Sequence, residues 1–524
     1  MIPQKIRFFL LRYYPALVCG VGLALSFPRL QLSFLAFFAL VPLFLSIRNL
    51  SSKQAFIFGF YTGLFYFSTL IYWIVPTVHI YGGLPVILAV CTLFCLCLYL
   101  ALYPAVFAYL VKKLSFDTWY APLLAAALWT GLEYTRTYAF TGFPWGGLGY
   151  SQYLNLRFIQ MADFTGVYGV SFLIVLVNFV LASVWVSWRE KHRTFICAPA
   201  YTLIFLVAAF GYGQYRIAQI HTHMQSAPKT VVSVVQGNIE QDVKWDEAFK
   251  TRTVEKYLSL SSDALQKHPD LVIWPETALP FYYGYDQVLS GKVDAFIRQS
   301  DTFFLIGSPA FTADEKSIQY FNRTYMLNPF GMVSGMYDKN HLVPFGEYVP
   351  FGEYLTFLGK ITAQAGNFST GDGQFNPLVF KDKRKTGVLI CFEILFPSIS
   401  SAFVKNGADI LTTITNDAWF GNTSAALQHF SISVFRAVEN RRSLARAANT
   451  GISGFVDPTG KILDASVWFT DAVVTRPLVI LDRISFYTTH GDLFAIISIV
   501  AICFVFMVKG AGKIFGKKVW GKSK

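Results

Sequence analysis

Hydrophobic positions along the chain follow two regimes. From the N-terminus to about residue 215, long apolar stretches are broken by short polar or basic links. Seven such stretches lie at about 13–27, 31–47, 54–76, 84–111, 119–136, 167–188 and 196–214, and an eighth runs from about 492 to 508. About 20 apolar residues in a helix cross a bilayer core. The pattern therefore predicts eight transmembrane helices, the first two short and the fourth, which contains Pro104, long. Between about 225 and 485 the period changes. Runs at 230–235, 271–274, 303–307, 325–328, 388–390 and 410–415 read as strands, and 246–267 and 424–449 as helices. Strands alternating with helices imply layered sheets covered by helices. The expected fold is a polytopic α-helical membrane protein carrying an inserted α/β domain. Its divisions are a seven-helix region at 1–218, the domain at 219–487, and an eighth helix with a basic tail at 488–524.

Composition agrees with this division. Of 524 residues, 54% are hydrophobic and 14% charged, against about 25% charged in soluble domains. The net charge of +13 first suggests a nucleic-acid partner, but its placement gives another reason. Lys5, Arg7 and Arg12 precede the first helix, and Arg48 and Lys53 follow the second. Lys112 and Lys113 follow the fourth, and Arg189, Lys191 and Arg193 the sixth. Six lysines from Lys509 to Lys524 follow the eighth. Every second link is basic, which puts these links and both termini in the cytoplasm and the 219–487 domain outside. The charge is a topology signal, and no nucleic-acid partner is implied. The basic start reads as a retained first helix, because no small-residue cleavage site is followed by polar sequence. Outside helices five and six lies an uncharged segment, Gly142-Phe143-Pro144-Trp145-Gly146-Gly147-Leu148-Gly149. It reads either as an interfacial turn with aromatic anchors or as part of a mouth through which lipid reaches the domain.

Six of the seven cysteines lie in the apolar stretches, and Cys391 alone lies in the α/β domain. It follows the strand-like run 388–390, and open α/β sheets carry their chemistry at the carboxyl ends of strands. A lone cysteine there is either core filler or a nucleophile. Two further strand-end motifs bear on the choice. One is Trp274-Pro275-Glu276. The other runs from Tyr337 through Lys339 and His341 to Glu347 and Pro350. No Gly-rich phosphate loop and no metal-ligand spacing occurs, so neither metal nor cofactor is expected, and His341 and His429 read as surface or hydrogen-bonded histidines.

Glu276, Lys339 and Cys391, each in its own motif and in that order, resemble the nitrilase (carbon–nitrogen hydrolase) superfamily. The Lys339–Pro350 run narrows the resemblance to the apolipoprotein N-acyltransferase family. Gln236-Gly237-Asn238, Thr415-Asn416-Asp417-Ala418-Trp419-Phe420-Gly421 and the Trp145 segment do the same. The resemblance covers nearly the whole chain. It implies an αββα catalytic sandwich outside a bacterial inner membrane, in the periplasm, and an acyl transfer through a cysteine thioester. Glu276 is then the general base and Lys339 the oxyanion partner, with the Phe392 N–H as a second donor. Phe392 departs from the tyrosine common in the family. Glu347 and Glu393 align with supporting carboxylates, and Trp245, Trp419 and Phe420 with aromatic positions of substrate loops; Trp145 belongs to the interfacial segment. Asn416 and Asp417 either support the site or cap the helix after Ser424. The implied donor is a membrane phospholipid, phosphatidylethanolamine at its first acyl position. The implied acceptor is the α-amine of a diacylated apolipoprotein, and a monomer is expected. The competing expectations are a membrane-tethered amidase with the same three residues and a transporter with an outer binding domain. The second fits poorly, because Glu133 and Arg136 lie near a helix end and leave the bundle without an obvious polar path.

Overall fold

A computed structural model describes residues 4–114, 118–190, 197–241, 247–313, 317–348 and 367–520. Trp245 lies outside the described residues. Helices occupy the predicted apolar stretches, with two departures. The 31–47 stretch is split into a 3-10 turn, Ser33–Phe37, and a short helix, Val41–Ile47, with Pro42 in its first turn. The 54–76 stretch forms Ser52–Leu70, started by a Ser51/Gln54 capping box, and then bends by 60° into Ile74–Tyr81. Among the described residues three helices are long and apolar enough to cross a membrane: Val86–Lys113, Val167–Glu190 and Cys197–Ser226. The bent pair makes a fourth if counted as one span, while Tyr13–Leu25, Ser33–Ile47 and Leu493–Lys509 are apolar but shorter. Small residues let the helices approach closely. A Cβ on Gly59 would stand 2.3 Å from the Pro104 carbonyl oxygen, and one on Gly63 2.8 Å from Ala101.

The basic links gather at one end of the bundle. Arg48 pairs with Glu190, Lys112 donates to the Arg48 carbonyl, and Lys509 reaches the carbonyl of Lys113. The α/β domain joins the other end. Its entry helix, Cys197–Ser226, runs past residue 218 to within three residues of the first strand.

Among the described residues the domain holds twelve strands in two six-stranded sheets. The first contains β1 (Lys229–Gln236), β2 (Leu271–Ile273), β3 (Phe303–Ala313), β4 (Ile318–Leu327) and β5 (Val333–Asp338), with β12 (Ala472–Val479) beside β1. The second contains β6 (Leu378–Val379), β7 (Lys385–Ile390), β8 (Ile410–Thr415), β9 (Leu444–Ala448), β10 (Gly454–Val456) and β11 (Ile462–Ala465). Each has a parallel centre, β1-β2-β3 or β7-β8-β9, with antiparallel strands on its flanks. The continuous apolar runs 271–273 and 388–390 in the central strands reflect burial on both faces. Val232, Val234, Leu271, Ile273 and Leu305 share one core with the second sheet. Val235, Val272 and Phe304 face Val254, Tyr257, Val293 and Ile297 of helices Glu247–Leu265 and Gln287–Arg298. Helices Pro397–Lys405 and Ala425–Asn440 accompany the second sheet. The order is therefore helix, sheet, sheet, helix.

The helix expected over 424–449 stops at Asn440. Arg441 caps it in the left-handed conformation (φ 52°), and 444–448 is strand β9. The stop comes from tertiary contacts: Arg441 donates to Asp163, Gln160 and the Pro458 carbonyl, all buried. Asp163 also pairs with Arg216 at 2.6 Å, and Arg436 with Glu439, Tyr150 and, through Glu439, the Val167 N–H. These contacts fix the domain to the bundle. The 142–153 segment lies inside that junction. Trp145 is 2% exposed, so an aromatic anchor in a bilayer interface is not its role.

Candidate active site

Glu276, Lys339 and Cys391 follow β2, β5 and β7, and the two sheets bring those strand ends together. Cys391 opens a 3-10 turn, Cys391–Leu395, with φ 52°. That conformation is uncommon for a residue with a side chain and costs about 1–3 kcal/mol. It turns the thiol out of the sheet. The charges acting on the thiol are Glu276, Lys339 and Asp417, and the Thr415 hydroxyl lies beside it. Burial pushes the thiol pKa well above the usual range, Glu276 pushes the same way and Lys339 opposes them. These effects favour the neutral thiol, which becomes a nucleophile only when a base takes its proton.

Lys339 is 1% exposed and sits between two carboxylates. Its Nζ lies 2.8 Å from Glu347 Oε1 and 3.5 Å from Glu276 Oε1. Burial alone would pull its pKa down, but Glu347, then Glu276, outweigh that and hold the ammonium charged. The tighter partner is Glu347. A lysine paired chiefly with Glu276 would draw that carboxylate away from the thiol, and this arrangement reduces that pull. Asn322 Nδ2 links the two carboxylates at 2.7 Å from Glu276 Oε1 and 3.0 Å from Glu347 Oε1. Glu276 Oε2 accepts the Asn416 N–H at 2.8 Å, and Glu347 Oε2 accepts that of Val343 at 2.8 Å. Both carboxylates are thus held at both oxygens. β3 passes so close to the Trp274-Pro275-Glu276 turn that a Cβ on Gly307 would lie 2.9 Å from Glu276 Cα.

Glu393 joins the lysine loop to the cysteine strand. Its Oε1 accepts from Tyr337 OH at 2.8 Å, Asn340 N at 2.7 Å and His341 N at 3.1 Å, and its Oε2 from Ile390 N at 2.8 Å. Burial pushes its pKa up to about 7, opposed by those donors. It ties the 339–341 backbone to Ile390, the residue before the cysteine. Phe392 packs against Phe396 and His341. His341 is kept neutral by burial and then by the Lys339 charge, with a pKa of about 4. A cavity of about 430 Å³ lies alongside, lined by Tyr138, Phe140, Asn340, His341, Phe368 and Phe396 among others.

The aromatic candidates converge on the bundle. Phe420 packs on Trp73 (5.0 Å between centroids) and Trp145 (5.9 Å), while Trp419 meets Tyr81 of the bent helix. Gln428 Oε1 accepts from both Trp145 Nε1 (2.7 Å) and Trp73 Nε1 (3.3 Å). Asn416 and Asp417 lie against the site and do not cap the helix after Ser424, whose first N–H is accepted by the Thr423 hydroxyl. Asn416 contacts Glu276, Gln241 and Asn449, and Gln236-Gly237-Asn238 ends β1 against that same Asn449. Asp417 binds Arg446 and Thr415. Asn322, Gln428 and His429 escape a motif reading. Asn322 is one polar residue within a strand, and the other two sit on a helix whose partners are distant in sequence.

Two family descriptions match the chain: Apolipoprotein N-acyltransferase N-terminal domain over residues 19–180, and Carbon-nitrogen hydrolase over residues 231–482. The apolipoprotein N-acyltransferase of Geobacter metallireducens is 43% identical over 486 residues, covering 92% of each chain. That of Pasteurella multocida is 30% identical over 495 residues, covering 93% of this chain and 94% of its own. Among solved structures, a carbon-nitrogen hydrolase from Helicobacter pylori G27 is 18% identical with a TM-score of 0.37, covering 48% of this chain and 88% of its own.

Proposed function

The chain belongs to the apolipoprotein N-acyltransferase family, and from that premise we propose a two-step acyl transfer carried by Cys391, Glu276 and Lys339. The enzyme is an acyltransferase that N-acylates lipoproteins. In the first step Glu276 takes the thiol proton and the sulfur attacks the ester carbonyl of a membrane phospholipid, phosphatidylethanolamine at its first acyl position. Lys339 and the Phe392 N–H hold the oxyanion. The ester C–O bond breaks, Glu276 returns the proton to the departing alkoxide, and a lysophospholipid leaves. In the second step the neutral α-amine of a diacylglyceryl-cysteine attacks the thioester. Glu276 takes the amine proton, the C–S bond breaks, and the proton passes to the sulfur. A triacylated lipoprotein leaves and the thiol is restored.

The observation that carries this reading is the meeting of Glu276, Lys339 and the thiol at three strand ends, with the lysine paired mainly to Glu347. The buried Arg436 and Arg441 contacts support a lipid-anchored acceptor, because they fix the domain to the bundle end where such substrates arrive. The eight helical segments are taken as eight spans, with both termini and the basic links in the cytoplasm. Glu347, Glu393 and Asn322 hold the frame, Trp419 and Phe420 line the lipid side, and Trp145 backs Phe420 from inside the junction. The protein acts as a monomer in a bacterial inner membrane with its catalytic domain in the periplasm.

The test is reaction of the purified protein with phosphatidylethanolamine and a diacylated lipopeptide carrying a free α-amine. Mass spectrometry should find one acyl chain added to that lipopeptide and none to its N-acetylated form. Release of free fatty acid with no N-acylated peptide would replace the transferase reading with that of a tethered hydrolase.

A further inference from the structure

The strained conformation of Cys391 needs something outside its own turn to hold it. His429 is placed to do this. It lies on Ala425–Asn440, is 1% exposed, and its Nε2 stands 3.2 Å from the carbonyl oxygen of Cys391. The carbonyl can only accept, so Nε2 carries the proton. Arg446 Nη2, which can only donate, lies 3.0 Å from Nδ1. Nδ1 therefore keeps its lone pair and the ring is neutral. Burial, then the Arg446 charge, push its pKa down, in agreement with that tautomer. Asp417 lies 3.0 Å from Nδ1. Its Oδ2 accepts from Arg446 at 2.8 Å and its Oδ1 from the Thr415 hydroxyl at 2.9 Å, so it is supplied with donors without a proton from the ring.

The ring plane is fixed as well. Trp145 stacks on it at 5.6 Å and 27°, and Phe420 stands edge-on at 6.1 Å. Trp145 is itself anchored through its indole N–H to Gln428, the residue before His429, and through its carbonyl to Arg136 Nη1 at 2.5 Å. A side chain from the membrane-proximal segment thus presses one face of the imidazole that holds the nucleophile's backbone.

We infer that His429 is a positioning residue for Cys391: by donating to its carbonyl it locks the left-handed backbone that aims the thiol at Glu276 and Lys339, and Trp145 holds the imidazole in that orientation. The inference rests on the proposed role of Cys391. His429 is no base for the sulfur, because its proton-bearing nitrogen faces the carbonyl and its other nitrogen faces Arg446.

Three full-length variants in detergent–lipid micelles test this. Glutamine places an amide N–H close to the position of Nε2, asparagine close to that of Nδ1, and phenylalanine keeps the ring without a donor. The readouts are the single-turnover rate of acyl-enzyme formation from phosphatidylethanolamine, the KM for that donor, and thermal unfolding. A misplacement on the order of 1 Å costs about 100-fold in rate. His429→Asn and His429→Phe should therefore acylate about 30- to 100-fold more slowly, with KM within about threefold. His429→Gln should stay within about fivefold of wild type. Wild-type acylation in His429→Asn or His429→Phe, or equal loss in His429→Gln and His429→Asn, would overturn the inference. If His429→Phe does not fold, the glutamine–asparagine pair decides alone. Cys391→Ala is run alongside, since an acyl adduct surviving on it refutes the thioester mechanism whatever His429 does.

Discussion

Replacing Glu347 by glutamine should disable acylation while leaving the fold in place. Glu347 holds Lys339 Nζ at 2.8 Å, whereas Glu276 lies 3.5 Å away. Without its charge the ammonium has one carboxylate partner left, the base itself. Closing that gap to an ordinary ion-pair distance means a shift of about 0.7 Å toward Glu276. Two losses follow. The lysine leaves the place where the oxyanion develops, and a displacement of this order costs about 100-fold. The base is also drawn into a closer ion pair. One charge-assisted hydrogen bond is worth about 1.5–3 kcal/mol, and 100-fold in rate is about 2.7 kcal/mol, so the second loss adds to the first and about 100-fold is the lower bound. The neutral amide can still accept from Asn322 and Val343 only in part, since one of its two ends is now a donor. Single-turnover acylation followed by intact mass spectrometry should show Glu347→Gln at least about 100-fold slow, with an unfolding temperature within a few degrees of wild type. Acylation at the wild-type rate would show that Lys339 does not depend on Glu347 for its position.

Three further expectations follow from particular contacts. Gly307→Ala puts a methyl 2.9 Å from Glu276 Cα and 2.6 Å from the Pro275 carbonyl oxygen, so turnover should fall at least about tenfold; unchanged kcat would mean that the base tolerates displacement. Asp163→Asn leaves Arg441 and Arg216 without their shared carboxylate. It should cost about 3–5 kcal/mol, read as earlier thermal unfolding in detergent, and an unchanged melting curve would remove this pair from the junction. The Cys391 thiol is held neutral by burial and by Glu276. Its alkylation by a small reagent should therefore keep rising with pH beyond the free-thiol range of about 8.5, and a plateau at that value would show a solvated sulfur.

The three catalytic candidates were legible because each lies in a short motif at a strand end, where a few adjacent residues identify the position. The parallel strand 271–273 was legible as an unbroken apolar run, and 410–415 as a mostly β-branched run of isoleucine, leucine and threonine that ends at Asn416. The features that hold the site were not. Arg436, Arg441 and Arg446 are among the largest fully buried side chains, yet in sequence they look like the solvated face of a helix, and their partners Asp163, Tyr150 and Asp417 lie elsewhere in the chain. The same gap explains the helix expected to continue to Asn449. Residues 441–449 contain no glycine or proline, and the stop is a left-handed arginine stabilised by distant acceptors. Asn322 shows the limit most plainly: one asparagine on β4 links both glutamates across the lysine, and only the sheet order reveals it.

Intact mass spectrometry of wild-type protein and Cys391→Ala after incubation with phosphatidylethanolamine bears most directly on the central claim. The thioester mechanism predicts a gain of one acyl chain on wild type. That gain should be cleaved by hydroxylamine, discharged by a diacylated lipopeptide and absent from Cys391→Ala. An adduct on the variant, or steady turnover of wild type with no adduct trapped when the acceptor is withheld, would contradict it.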